Sequence, residues 1–244
     1  MPTIIDAFDE YFEMLPAISD DLKKEVYKLR YQVYCIETGF EDPANHQDEA
    51  EYDDFDDSSI HYLIRHKRFD TYAATTRLIL PNKKNPERLF PIELHSQIQI
   101  PEAFKGIPRM ALGEVSRFCV SKDFKRRKKE SGTLTGISPD TDAYYSEDER
   151  RTFPHITIAL IACLVKISAE HGIDYWYAVM EPALLRFLST LGIHFIHIGP
   201  LTDYHGKRQP GIIKVSDLLE GVAKKNPELL EMLTFRGQYL QSFN

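Results

Sequence analysis

Cysteine is scarce in this sequence of 244 residues, and the few cysteines form no pattern of a metal site or a disulfide framework. Cys35, Cys119 and Cys163 are odd in number and widely spaced, without a CxxC or Cys/His cluster. Structural zinc and paired disulfides are therefore not expected. His194 and His197 predict no metal site either, because the alternation around them indicates a strand that points them to opposite faces. We expect neither a metal nor a cofactor.

The sequence also lacks a long apolar run, a basic leader and an excess of positive charge. The longest apolar run, 156–165, falls well short of the roughly 20 residues that cross a bilayer, so no membrane span is expected. Asp6, Asp9 and Glu10 stand where a signal peptide has other residue types, which predicts a cytoplasmic protein. The formal net charge of −7 is unlike the broad basic surface typical of nucleic-acid binding, so nucleic acid is not an expected partner.

The hydrophobic pattern predicts a mixed sheet covered by helices. Helices are predicted over 20–34, 154–171 and 182–191, with one or two short helices near the C-terminus. Strands are predicted over 60–65, 72–80, 111–120, 175–180, 193–198 and 212–215. Residues 122–151 combine a basic run with few apolar residues, which is typical of a mobile loop. We predict a single domain over residues 1–244 that includes this loop.

Four segments between residues 29 and 120 combine charged and aromatic residues. They are 29–34 (LRYQVY) followed by Glu37, Gly39 and Phe40; 51–56 (EYDDFD); Arg77 and Leu78 followed by Pro81; and 113–118 (GEVSRF). In this order they resemble the signature of the acyl-homoserine-lactone synthases, with different aromatic residues at two positions. Residues 34–41 (YCIETGFE) are more similar to the N-acyl amino acid synthases and to the acyltransferases associated with bacterial exosortase systems.

This resemblance implies a bacterial acyltransferase with the N-acetyltransferase-like (GNAT) fold. That fold is an α+β architecture, an α/β/α sandwich in which helices cover both faces of a mixed central sheet. Such enzymes would transfer a fatty acyl chain from acyl-carrier protein, or from coenzyme A, to a primary amine, and we predict an amino acid as the acceptor. Two alternatives stay open: a lactone synthase that uses S-adenosylmethionine, and a noncatalytic relative that binds acyl-carrier protein.

Glu114 is the predicted general base. Aminolysis of a thioester requires a deprotonated amine and stabilisation of the developing oxyanion, and a positioned carboxylate meets the first need. The period of two places Ser116 on the same strand face as Glu114 and Arg117 on the other face, unless a bulge intervenes. We include Ser116 and Arg117 as catalytic candidates, and the fold implies a backbone N–H of this strand as the oxyanion donor. The alternative is a structural ion pair of Glu114 with Arg77 or Arg117.

A second group of residues is predicted to bind the substrates. Asp53 and Asp56 can hold the ammonium group of the acceptor, or they belong to a solvated acidic loop. Arg30 and Arg77 can orient these carboxylates or bind a carboxylate of the acceptor. The acidic segment lacks the glycine and terminal glutamate of a calcium loop. The resemblance adds three aromatic residues to this group: Tyr34, Phe40 and Phe118.

A basic run is predicted to dock acyl-carrier protein. It consists of Lys125, Arg126, Arg127, Lys128 and Lys129. In an otherwise acidic chain, such a run would attract an acidic carrier, although nucleic acid or simple solvation are the alternatives. The pyrophosphate-binding pattern of coenzyme-A-dependent acetyltransferases is not cleanly present near Gly132 and Gly136, which favours the carrier protein over coenzyme A.

Overall fold

The computed structural model describes residues 3–125, 145–203 and 206–243 of the chain. The helices are α1 (Ile4–Tyr11), α2 (Asp20–Tyr31), α3 (Pro91–His95), α4 (Glu147–His171), α5 (Pro182–Thr190), α6 (Val215–Lys225) and α7 (Pro227–Leu233). The strands are β1 (Phe12–Pro16), β2 (Ser59–His66), β3 (Thr71–Ile79), β4 (Leu112–Val120), β5 (Tyr175–Met180), β6 (Ile196–His197), β7 (Thr202–Asp203) and β8 (Lys207–Lys214). Most of these elements coincide with predicted ones.

The strands form a mixed sheet. Hydrogen bonding gives the order β1-β2-β3-β4-β5-β8-β6, and the short strand β7 pairs with β8 beside this path. The pairs β1–β2, β5–β8 and β6–β8 are antiparallel, whereas β4 and β5 are parallel. The β4–β5 register runs from Leu112 opposite Tyr175 to Val115 opposite Ala178. The sequence prediction of a mixed sheet with helices on both faces is confirmed.

The residues fall into two compact units. Unit 1 comprises Met1–Asp56, Ile60–Arg77 and Arg117–Cys163, and unit 2 comprises Asp57–Ser59, Leu78–Ser116 and Leu164–Asn244. Strands β2, β3 and β4 and helix α4 contribute residues to both units. The single domain over residues 1–244 stays a prediction.

Helix α2 is amphipathic and anchors the core of unit 1. It begins after Ser19, whose hydroxyl accepts the Leu22 N–H, and its apolar side enters a buried cluster. That cluster consists of Ala17, Val26, Leu29, Val33, Leu63 and Cys119. Because burial of one large aliphatic side chain contributes about 1.5–3 kcal/mol, this face fixes the orientation of α2. The orientation of α2 in turn directs the charged side chain of Arg30, next to Leu29.

Helix α4 is a core helix. Among the described residues it is the one helix long and apolar enough to cross a membrane, but 72% of its most apolar segment is buried inside the protein. In unit 2, the indole N–H of Trp176 donates to Ser168 Oγ of this helix at 2.8 Å, which satisfies the polar edge of a fully buried ring. The burial agrees with the expectation that the apolar run does not span a membrane.

The start of α4 differs from the prediction. The helix predicted over 154–171 begins at Glu147, because Ser146 and Glu149 form a reciprocal capping box in which the Glu149 N–H donates to Ser146 Oγ at 3.1 Å. Pro154 therefore lies inside α4 and not in its first turn.

Two further predicted segments, one strand and one loop, are shorter in the structure than predicted. The strand predicted over 193–198 is limited to Ile196–His197. Of the loop predicted over 122–151, Lys122–Phe124 form a 3-10 turn and the residues from Glu147 onward are helical. Residues 126–144 of that predicted loop lie outside the described residues.

Candidate active site

A widened turn at the end of α2 positions the first site residues. The helix continues as a π-helix over Gln32–Glu37. Thr38 closes this turn, because its N–H and its hydroxyl both donate to the Val33 carbonyl, at 3.1 and 2.9 Å. π-Helical turns are frequent at functional sites. Arg30 just before this turn and Tyr34 within it both contact the group of charged residues described next.

Three arginines and three carboxylates form an ionic cluster in unit 1. Its members are Arg30, Arg77, Arg117, Glu51, Asp53 and Asp56. Arg30 is fully buried and donates to Glu51 Oε2 at 2.6 Å and to Asp56 Oδ1 at 2.7 Å. Arg77 is buried as well and donates to both Asp53 oxygens, at 2.6 and 3.0 Å, and to Asp56 Oδ1 at 2.6 Å. The buried charges here are paired, as burial of charge requires, and a further carboxylate, Glu41, lies 3.7 Å from Arg117.

Arg117 and Asp53 form the exposed edge of the ionic cluster. Arg117 donates to both Glu51 oxygens at 2.9–3.1 Å and lies 3.4 Å from Asp53 Oδ2. The side chains of Arg117 and Asp53 are 24% and 29% exposed, against 2% for Glu51 and 5% for Asp56. The Tyr34 ring centre lies 5.4 Å from the Arg117 guanidinium carbon. A molecule arriving from solvent therefore meets Arg117 and Asp53 before the other members.

The ionic cluster keeps its carboxylates charged. Burial would raise the pKa of Glu51, but Arg30 and Arg117 outweigh burial and lower the pKa to about 2. Burial likewise opposes ionisation of Asp53 and Asp56, and the neighbouring arginines lower the pKa of both groups. All three carboxylates are therefore ionised at neutral pH.

This charge state predicts a loss of stability in acid. Because the folded-state pKa of Glu51, about 2, lies below the unfolded value of about 4.3, protonation favours the unfolded chain. The contribution of Glu51 to the free energy of unfolding, on the order of 3 kcal/mol, is present above about pH 4.3 and is lost as the pH falls towards 2. We expect urea unfolding curves to show this loss in that window.

The control for the acid experiment is E220Q, which removes an exposed carboxylate from α6 and should follow the wild-type pH dependence. Carboxyl ¹³C shifts would identify the titrating group directly. A Glu51 carboxyl that titrates at its unfolded value would contradict the prediction.

Strand β4 presents the residues of the fourth motif, and Arg117 interrupts its alternation. Arg117 has a φ of +48°, in the left-handed region that non-glycine residues rarely adopt. Such a conformation costs about 1–2 kcal/mol, which the bonds to Glu51 offset. The positive φ of Arg117 departs from the regular strand geometry on which the period of two is based. Ser116 and Phe118, on either side of it, are half-buried.

Glu114 is buried in unit 2, in the part of β4 that pairs with β5. The residue is 3% exposed, and its Oε2 accepts the Ile92 N–H at 2.9 Å. Tyr177 stands opposite Glu114 in the β4–β5 register, and burial raises the pKa of Tyr177 to about 12, so its phenol is neutral. The Ile92 N–H orients this carboxylate, and a positioned carboxylate is what general-base catalysis needs.

The segment that supplies the Ile92 N–H is held by an ion pair. Arg109 donates to both carboxylate oxygens of Glu93, at 2.6 and 2.7 Å, and to the Arg88 carbonyl at 2.6 Å. Glu93 in turn accepts the Phe90 N–H at 2.7 Å. Neither Arg109 nor Glu93 was among the predicted site residues.

Lys125, the first of the predicted docking residues, is not at the surface. Its side chain is 4% exposed, and its ammonium lies 3.7 Å from Glu37 Oε2. Glu37 also accepts the Lys122 N–H at 2.9 Å and the Ser121 hydroxyl at 3.3 Å. The burial of Lys125 corrects the prediction that this residue docks a carrier protein. The other four predicted docking residues lie outside the described residues: Arg126, Arg127, Lys128 and Lys129.

The structure brings most of the predicted substrate-binding residues together. Those in or against the ionic cluster are Arg30, Tyr34, Asp53, Asp56 and Arg77. Phe40 is half-buried after the π-helix, and its N–H donates to the Tyr34 carbonyl at 2.8 Å. Glu51, which joins Arg30 to Arg117, was not among the predicted site residues. The first position of the acidic motif was the signal that could have identified it.

Comparisons with known proteins agree with this architecture. Residues 29–134 match the acetyltransferase (GNAT) domain. The solved structure of TofI in a ternary complex with an inhibitor and MTA aligns with 90% of this chain and 99% of its own, at 18% identity and a TM-score of 0.59. The chain has the GNAT fold. No protein of curated function matches the chain in sequence at a significant level.

Two further solved structures share this GNAT fold. The acyl-homoserine-lactone synthase LasI aligns with 87% of this chain and 96% of its own, at 18% identity and a TM-score of 0.55. The CoA-dependent acyl-homoserine-lactone synthase BjaI, solved with SAM and isopentyl-CoA, aligns with 93% of this chain and 88% of its own, at 17% identity and a TM-score of 0.53. The predicted fold is confirmed, and the match of residues 29–134 to an acetyltransferase domain agrees with the prediction of an acyltransferase.

Proposed function

We propose that this GNAT-fold protein is a cytoplasmic N-acyltransferase that transfers a medium or long fatty acyl chain from a thioester to the amine of an amino acid. The observation that carries the proposal is the buried carboxylate of Glu114, oriented by a backbone N–H on strand β4 of an acetyltransferase domain. The ionic cluster, with its exposed edge at Asp53 and Arg117, supports it.

In this mechanism Glu114 accepts a proton from the acceptor amine. The amine nitrogen attacks the thioester carbonyl carbon and forms the C–N bond, the C–S bond breaks, and the departing thiolate takes the proton from Glu114, which restores the carboxylate. A backbone N–H of β4 stabilises the oxyanion, a contribution typically of about 2.7–4 kcal/mol. Thioester and amine are thereby converted to amide and thiol, with no oxidant, reductant or metal in the balance.

The exposed edge of the ionic cluster is the proposed acceptor site. Asp53 offers a carboxylate to an ammonium group, and Arg117 offers a guanidinium to a carboxylate, so together they match the two charges of an amino acid. The buried members have a supporting role, because Arg30 and Arg77 both donate to Asp56, and Arg77 also donates to Asp53 at the edge.

Product analysis tests this proposal. The protein is incubated with acyl-carrier-protein and coenzyme A thioesters of several chain lengths, with an amino acid pool and S-adenosylmethionine, and products are identified by mass. We expect an N-acyl amino acid. A lactone product would replace the proposal with a lactone synthase, and binding of the carrier without any product would indicate a noncatalytic relative.

We propose acyl-carrier protein as the acyl donor, because the basic run would attract an acidic carrier. We expect a variant with Arg126, Arg127, Lys128 and Lys129 all changed to Gln to raise KM for an acyl-carrier-protein donor about tenfold at low salt and to leave kcat unchanged, because electrostatic steering acts on encounter. The difference should disappear as ionic strength increases. A KM that is unchanged for the carrier-protein donor would remove the docking role of this run.

A further inference from the structure

We infer that Arg109 and Glu93 are positioning residues that hold the Ile92 N–H on the carboxylate of the base. This inference rests on the proposed function, because it concerns how Glu114 is oriented for proton removal. All of the residues involved belong to unit 2.

Arg109 fixes the segment before α3 at three points. Its guanidinium forms a bidentate pair with Glu93, bonds to the Arg88 carbonyl and lies 4.1 Å from the centre of the Phe90 ring. Glu93 closes the arrangement by accepting the Phe90 N–H, as in a capping box at the start of α3. The Arg109 guanidinium therefore holds the chain on both sides of Phe90, through the Arg88 carbonyl before it and through Glu93 after it.

The segment is also fixed from the side of the sheet. Phe90 and Ile92 are 2% and 1% exposed, and the Phe90 ring meets the Tyr177 ring edge to face, with centres 6.2 Å apart. Tyr177 is the β5 residue opposite Glu114. Phe90, near the donor Ile92, therefore contacts Tyr177, which stands opposite the acceptor Glu114.

A simple surface ion pair would not explain this arrangement. Exposed ion pairs contribute little to stability and need no particular backbone target. Arg109 and Glu93 instead have side chains that are 23% and 15% exposed, and they contact the backbone shortly before Ile92, whose N–H donates to Glu114. Preorganised groups around a reacting side chain improve catalysis by fixing its geometry, and a displacement of about 1 Å can cost about 100-fold.

The first test is R109A in the intact chain. We expect kcat to fall about 10- to 100-fold with KM for both substrates unchanged, and the acid limb of the pH profile of kcat/KM to move to higher pH, because the charged form of the base loses support. R109K, which cannot form the bidentate pair, should recover only part of the loss. The control R65A removes another ion-paired arginine and should keep the wild-type profile.

A double variant tests whether Arg109 acts through Glu114. If it does, the double variant R109A/E114Q has the same residual rate as E114Q alone. A further loss in the double variant would show that Arg109 has only a general structural role, and would overturn the inference.

Amide hydrogen exchange separates this inference from the proposed function, since it needs no turnover. We expect the Ile92 amide to exchange about tenfold faster in R109A than in the wild type. An inactive wild type with faster exchange in R109A would reject the acyltransferase and keep the support of Ile92. An active wild type with an inactive E114Q, and with unchanged exchange and pH profile in R109A, would reject the inference alone.

Discussion

Replacement of Glu114 by Gln is expected to lower kcat about 10²–10⁴-fold, the usual range for loss of a general base, with KM for both substrates within a few fold of wild type. Glutamine keeps the volume of the side chain, and its amide oxygen can still accept the Ile92 N–H, so the fold around β4 should persist. Only the ability to accept a proton from the amine is removed. Initial rates of amide formation, followed by mass, provide the measurement.

The pH dependence makes the E114Q test specific. As pH rises, a larger fraction of the free amine is already deprotonated, so the difference between wild type and E114Q should narrow. E220Q, which neutralises an exposed glutamate on α6, serves as the matched control and should have wild-type rates at every pH. Retention of the wild-type kcat in folded E114Q would remove Glu114 as the base.

Much of the fold could be predicted because the relevant information is local. Strand-favouring residues bounded by prolines and turn residues predicted β2 through β5, and the strand over Tyr175–Met180 was predicted at its observed bounds. Helix α1 and strand β1 were not predicted. Helix α1 is a short element that begins at a capping box between Thr3 and Asp6, and β1 gains its stability from pairing with β2, which no local pattern shows.

The site was harder to predict than the fold, because its ion pairs join residues that are far apart in sequence. The sequence left open whether Arg30 and Arg77 orient carboxylates or bind a substrate, and the structure shows that they are buried partners of Asp53 and Asp56. The same limit applied to Lys125, which belongs to a basic run in sequence but is buried against Glu37. A run of like charges is usually exposed to solvent, but one of its residues can be buried where the fold provides an opposite charge.

The second large effect is expected from R30M. Arg30 is completely buried and bonded to both Glu51 and Asp56, so its removal leaves two buried carboxylates without adequate compensation. Loss of one partner from a buried ion pair typically costs about 3–5 kcal/mol, and we expect a loss of this size in the free energy of unfolding measured by urea. The activity of R30M should fall only because some molecules are unfolded or have a disturbed acceptor site.

R117M is the matched variant for R30M, because Arg117 also bonds to Glu51 but has a side chain that is 24% exposed. We expect R117M to lose about 1–2 kcal/mol of stability, since water can solvate the exposed edge that remains. Its main effect should be a raised KM for the acceptor. Should R30M not fold, R30K, which keeps the charge but loses the planar fork, should give an intermediate loss. Equal unfolding midpoints for R30M and wild type would show that the buried half of the ionic cluster does not stabilise the fold, and a supporting role for Arg30 would then have to be abandoned.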